Sequence, residues 1–115
     1  MNFTLIEAFD RHSITSTTAI AILSHDPKID DPALEIALQS SAFYVGALGG
    51  RKTQADRRQR FHQIGLTLPQ IDALHAPIGL NIGAETPQEI AVSIISEILS
   101  VIRNQVPMSL KEKTG

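Results

Sequence analysis

Phe43-Tyr44-Val45-Gly46-Ala47-Leu48-Gly49-Gly50-Arg51-Lys52-Thr53 decides how this chain is read. Its apolar first half breaks into paired glycines, then into basic residues, then into a polar segment of helix formers. A buried parallel strand hands over to a helix in this way. Glycine lets the main chain bend tightly and approach a ligand, because no Cβ intervenes. Arg51 and Lys52 place positive charge where the free N–H groups of the next helix already favour an anion. A phosphorylated ligand is expected to touch this corner.

Working outward, Thr18 to Ser24 is short and continuously apolar, as a strand covered on both faces should be. It ends in Ser24-His25-Asp26-Pro27. Asp31 followed by Pro32 reads as a capped helix start, and Leu34, Ala37 and Leu38 share one face, which predicts a helix over 31–40. Ala42 to Leu48 is the second strand. Thr53 is expected to cap the next helix, with Asp56 at its third position and Gly65 as its stop. Thr67-Leu68-Pro69-Gln70 opens a short helix ending near His75. Ile78, Leu80 and Ile82 alternate with small or polar residues and predict a third short strand. Thr86-Pro87-Gln88-Glu89 is the clearest helix start, followed by an apolar stripe of Ile90, Ile94, Ile95, Ile98, Leu99 and Ile102.

The expected architecture is therefore α/β: a partial Rossmann-like three-layer fold with a mainly parallel sheet of about three strands and a long C-terminal helix. Residues 1–17 are expected to form a helix and then a loop, 18–104 the partial domain, and 105–115 a frayed polar tail. Ligands of such sheets sit at the C-terminal strand ends. That edge is expected to gather His25 and Asp26, the Gly49-Gly50-Arg51 corner, and Asn81-Ile82-Gly83-Ala84.

At 115 residues the chain has the size of one domain. Hydrophobic residues make up 43% and charged residues 19%, which is globular and not disordered. A formal net charge of -2 argues against general nucleic-acid binding. Half of the Lys and Arg, however, fall at Arg51, Lys52, Arg57, Arg58 and Arg60. No cysteine is present, which excludes a disulfide, a thiolate metal site and a thiol nucleophile within this stretch. Glu7 and Asp10 interrupt the only candidate signal peptide, and polar residues interrupt the longest apolar helix, so a cytoplasmic domain without a membrane span is expected.

Gly46 to Thr53 approaches the phosphate-cradling pattern G-x-x-x-x-G-K-[ST], but Arg51 precedes the lysine where glycine is needed, and its Cβ obstructs the backbone nest. An NTPase is rejected on that ground. No G-x-G-x-x-G follows any strand, so the dinucleotide fingerprint is absent. Arg57, Arg58 and Arg60 read as the solvated face of an exposed helix, whereas Arg51 stands at the helix entrance. Asp26 and His25 have a bland alternative, in which Asp26 or Asp30 organises a turn before Pro27 and His25 is a polar end cap. His12, His62 and His75 lack ligand spacing, and no metal site is expected.

Three blocks carry a family resemblance. Ser24-His25-Asp26-Pro27-Lys28-Ile29-Asp30-Asp31-Pro32 resembles the T-H-D-P-x-x-D-x-P stretch of the xanthine dehydrogenase accessory (XdhC/CoxI) family. Tyr44 to Thr53 is similar to that family's Y-I-G-A-L-G-S-R-R-T. His75 to Ala91 is similar to H-x-P-I-G-L-x-I-G-A-x-T-P-E-E-I-A. The blocks are in order and cover residues 18–103. Gly50 stands where serine is usual and Lys52 where arginine is usual.

The resemblance implies the C-terminal Rossmann-like domain of a maturation factor that binds the molybdenum cofactor. Such a factor is a chaperone with no catalytic residues. It presents the cofactor for sulfuration by a cysteine desulfurase and passes it to a xanthine dehydrogenase-type enzyme. His25, Asp26, Gly46, Gly49, Arg51, Gly79, Gly83 and Thr86 fall in the family's motifs. With Gly50, Lys52 and Asn81 from the corner and loop above, His25, Asp26, Gly46, Gly49, Gly50, Arg51, Lys52, Asn81, Gly83 and Thr86 make up the expected cofactor-binding set. The first half of the Rossmann sheet has no counterpart here, so the sheet edge is expected to be completed by self-association, giving a homo-oligomer, or by a partner chain. Two other readings are an NAD(P)-binding oxidoreductase fragment and a protein-interaction module whose basic helix docks an acidic partner.

Overall fold

The computed structural model describes residues 2–5, 14–24 and 26–112, with Asn2–Leu5 described as backbone. Two compact units follow one another along the chain, Met1–Ile78 and Gly79–Gly115.

The first unit is a parallel sheet with three helices. Its strands are β1 (Asn2–Leu5), β2 (Thr18–Ile22), β3 (Tyr44–Ala47) and β4 (Leu74–His75), in that spatial order. The helices are α1 (Pro27–Leu38), α2 (Arg51–Gln63) and α3 (Leu68–Asp72). The α/β class and the parallel Rossmann-like arrangement therefore hold. The sheet has four strands where about three were expected.

Two differences account for the count. Asn2 to Leu5 pairs in parallel with Thr18 to Ala21, so the helical spacing of Leu5, Ile6 and Phe9 does not start a helix at Leu5. Backbone pairing along β2 overrides that weak periodicity, and residues 6–13 lie outside the described ones. The strand expected over 78–82 does not form; its place is taken by the two-residue β4, where Leu74 and His75 pair with Val45 and Gly46. The alternation of Ile78, Leu80 and Ile82 misled because the N–H groups there go elsewhere. Ile78 N donates to Ala47 O at 3.0 Å, while Leu80 N donates to Ser93 O at 3.1 Å.

Every residue of β2 and β3 is buried, as parallel strands enclosed on both faces require. Ile20, Ile22, Val45 and Ala47 share a core with Leu34, Ala37 and Leu38 of α1 and with Phe61, Leu66 and Ile71. The small side chains of Ala19 and Ala21 point to the opposite face, where both are fully buried.

α1 begins four residues earlier than expected. Asp26, not Asp31, is its N-cap, and the Asp26 side chain accepts from Lys28 N at 3.0 Å. Both Asp-Pro pairs carry the start signature. The first wins because Pro27 takes the first helical position, which leaves Pro32 inside the helix. α2 likewise starts at Arg51 with Gly50 as N-cap and no side-chain cap, so Thr53 is a first-turn residue and not a cap. α3 follows expectation: Thr67 and Gln70 form a reciprocal capping box.

The second unit is built on α4 (Pro87–Ile102). Thr86 accepts from Glu89 N at 3.1 Å, and Glu89 reaches back to the Thr86 N–H. Residues 79–80 lie along this helix: Gly79 N donates to Glu97 Oε1 at 3.1 Å. Gly79 has φ +100°, and a Cβ there would stand 2.5 Å from Ser93 Oγ, so only glycine fits. Of the expected stripe, Ile94 and Ile98 are buried, whereas Ile90, Ile95, Leu99 and Ile102 are exposed. A short 3₁₀ turn follows at Leu110–Glu112.

Candidate functional site

The C-terminal ends of β2 and β3 are neighbours, because Leu48 N donates to Ile22 O at 3.2 Å just beyond the last paired residues. From these ends leave the β2–α1 loop, residues 23–26, and the β3–α2 corner, residues 48–50.

At the corner Gly49 has φ +130°, and a Cβ there would meet Gln54 Nε2 at 2.9 Å and Thr53 Cγ2 at 3.0 Å. Both the backbone and the space demand glycine. Gly50 differs: its φ of -78° suits any residue and nothing lies within 4 Å of a Cβ built on it. The first turn of α2 holds no acidic residue, and Arg51 and Lys52 are exposed without an ion pair among the described residues. The leading N–H groups of α2, its positive dipole end and two cations thus open on one corner whose cap is no more than a glycine. An anion of phosphate size suits that arrangement.

The corner is held from behind. Gln54 Nε2 donates to Gly49 O at 3.3 Å, and Gln54 Oε1 accepts from Arg57 Nη1 at 3.2 Å. Arg57 Nε donates to Asp31 Oδ1 at 3.2 Å, and Asp31 Oδ2 also takes Arg60 Nε at 2.7 Å. Arg58 pairs with Asp72 at 2.7 Å. The three arginines read in sequence as a solvated face are thus tied to α1 and α3. Arg57 is itself buried.

Gly46 lies within β3, and a Cβ there would stand 2.6 Å from Ile78 Cδ1. The missing Cβ at Gly46 lets β3 pack closely against Ile78 and the Tyr44 hydroxyl. Asp26 is exposed and caps α1; His25 lies outside the described residues. Beside Asp26 stands a pair that sequence reasoning missed. Ser24 Oγ donates to Asp30 Oδ1 at 2.5 Å and accepts from Asp26 N at 3.3 Å, and Asp30 is 3% exposed. The signal was present in Ser24-x-Asp26 and in Asp30 at the first turn of α1, but the helix start placed at Asp31 concealed it.

In the second unit, Asn81 and Gly83 are exposed and Gly83 has φ +73°. The Thr86 hydroxyl is committed to its capping bond. Bonds from the N–H groups of Glu85 and Thr86 hold the Glu89 carboxyl below the usual carboxylate range. Tyr44 and His75 stack with ring centroids 4.5 Å apart. Among the described residues, no group of three or more His, Cys, Asp or Glu is placed to hold a metal ion, and no helix is long and apolar enough to cross a membrane.

A family model described as the XdhC Rossmann domain matches residues 2–98. The chain belongs to that family. The match begins at β1, well before the start at residue 18 expected for the domain.

Among its relatives, a protein of Escherichia coli K12 named molybdenum cofactor insertion chaperone PaoD is 32% identical over 103 residues, covering 90% of this chain and 32% of that protein. A protein of Bacillus subtilis 168, named as a component of a probable xanthine dehydrogenase, is 33% identical over 81 residues, covering 70% of this chain and 22% of that one. A crystal structure described as a xanthine dehydrogenase from Bacillus halodurans superposes with a TM-score of 0.62 at 30% identity, over 84% of this chain and 26% of that one. The chain thus spans about a third or less of the length of these relatives.

Proposed function

We propose that this XdhC domain binds the molybdenum cofactor and acts as a maturation chaperone for xanthine dehydrogenase-type enzymes, without turning over a substrate. The observation that carries the reading is the β3–α2 corner: Gly49 at φ +130°, an N-cap without a side chain, and Arg51 and Lys52 exposed beside it. The pterin of the cofactor bears a phosphate, and these residues suit a phosphate. When bound, the cofactor supplies the metal chemistry that the client enzyme uses. The chain's own residues hold the phosphate end and keep the corner rigid through Gln54 and Arg57. Asp26, which follows the adjacent strand end, is assigned to the same ligand, and so is His25, its neighbour in sequence. Asn81, Gly83 and Thr86 lie in the second unit, and the Thr86 hydroxyl is already engaged in its cap.

The name of the PaoD relative supports cofactor insertion as the activity of the family. In this reading, sulfuration by a cysteine desulfurase precedes delivery in the cytoplasm. This stretch contains no cysteine, so it provides the platform and not the sulfur. The arginines that an interaction module would present are engaged within the fold, which disfavours that alternative.

The test is transfer. The domain loaded with cofactor is mixed with a cofactor-free xanthine dehydrogenase-type enzyme, and recovered activity is compared with that given by free cofactor. Faster or more complete recovery supports a chaperone. Recovery identical to that with free cofactor contradicts it.

A further inference from the structure

Asp30 is buried with part of its hydrogen-bonding capacity unused. It lies in the first turn of α1 and is 3% exposed, yet it forms no ion pair among the described residues. Its Oδ1 accepts from the Ser24 hydroxyl at 2.5 Å, and no donor among the described residues reaches Oδ2. A carboxylate offers about four acceptor sites, and buried acceptors are ordinarily filled. Ser24 is itself committed: its one proton goes to Asp30, and its oxygen accepts from Asp26 N at 3.3 Å. The acceptor left over is Oδ2.

Two relations fix where that acceptor stands. Helical side chains lean toward the N-terminus, so the Asp30 carboxyl lies back over the first turn of α1. There it meets Ser24, two residues beyond the end of β2. The end of β2 is also the bonded neighbour of the end of β3, through Leu48 N and Ile22 O. Neighbouring strands run about 4.8 Å apart. A buried acceptor and the anion corner of Gly49, Gly50 and Arg51 thus stand at adjacent strand ends, both within the first unit.

We infer that Asp30 Oδ2 is a recognition site for an N–H donor on the ligand whose phosphate the corner holds. The class selected is a phosphorylated heterocycle with an amino group on the ring, away from the phosphate. This inference rests on the pterin-phosphate reading above, in which the exocyclic amino group of the pterin supplies the donor. The Ser24 bond fixes the rotation of the carboxyl, so Oδ2 is presented before the ligand arrives and little ordering is needed on binding. The corner suits any phosphate. Asp30 discriminates among them, because a compound without the donor leaves the buried carboxylate short of a partner.

The experiment is calorimetric titration of the full chain with a hydroxymethylpterin phosphate and with its analogue lacking the exocyclic amino group. The wild type is expected to bind the pterin at least about tenfold more tightly than the analogue. Asp30→Leu, of similar size and without an acceptor, is expected to reduce that preference to less than about twofold. Equal affinity of the wild type for the two compounds overturns the inference, and this arm does not depend on how the variant folds. A full preference kept by a cooperatively melting Asp30→Leu chain overturns it as well. Binding of neither compound would overturn the cofactor reading together with the inference, which sets that failure apart from equal binding.

Discussion

The buried guanidinium of Arg57 donates through Nε to the Asp31 carboxylate at 3.2 Å and so ties α2 to α1. The same side chain orients Gln54, which in turn holds the Gly49 carbonyl. One arginine thus links the core to the anion corner.

Arg57→Ala leaves Asp31 and Gln54 short of a donor, and the pair is largely removed from water. The expected loss is about 2–4 kcal/mol of unfolding free energy, read by urea denaturation. Arg58→Ala is the contrast. Its pair with Asp72 is exposed on both sides, and the loss should stay below about 1 kcal/mol. Equal losses in the two variants would contradict the structural role given to Arg57.

At Gly49, alanine meets a positive φ and two side chains of α2. Gly49→Ala should cost about 1–3 kcal/mol and weaken anion binding together with stability. Calorimetric titration with inorganic phosphate or a pterin phosphate, alongside thermal melts, checks both.

Gly50→Ser should do the reverse. The site has room for a side chain, a β-region backbone and an uncapped helix start. A serine hydroxyl can cap α2, and a gain of a few tenths to about 1 kcal/mol is expected. A lower midpoint in denaturant would show that the corner has less room than the geometry gives it.

Glu89 provides a pH signature. Its folded carboxyl titrates below the ordinary value of 4.5 because backbone N–H groups favour the charged form. Its stabilising effect is therefore fully present above that value and is lost as pH falls through the lower, folded value. The stability difference between the wild type and Glu89→Gln should shrink between about pH 6 and about pH 3. A difference that is constant across that range would mean the carboxylate charge plays no part at this helix start.

Much of this was legible in the sequence, and the failures have physical causes. The run into Gly49-Gly50 announced β3, the corner and α2, because glycine and charge act locally. Thr86 and Glu89 announced α4 because a capping box is a local device. The start of α1 was misplaced because two Asp-Pro pairs carry one signature, and it is Asp26 that caps the helix by accepting from Lys28 N. The strand over 78–82 was misread because the bonds that bind Gly79 and Leu80 come from Glu97 and Ser93, more than a dozen residues away. β1 was missed because pairing with β2 is also non-local. Arg57 read as a solvated charge because Asp31 lies 26 residues away in sequence. Of the site, the corner was visible; the Ser24–Asp30 pair and the Gln54–Arg57 support were not.

The central claim is that the β3–α2 corner holds the phosphate of a molybdenum cofactor. It is tested most directly by equilibrium binding of the isolated cofactor to the wild-type chain and to Arg51→Ala/Lys52→Ala, with melting curves as a control for folding. Both residues are exposed and unpaired among the described residues, so the double variant should melt as the wild type does and bind at least about tenfold more weakly. Affinity unchanged in the double variant would contradict the claim and move the ligand away from this corner.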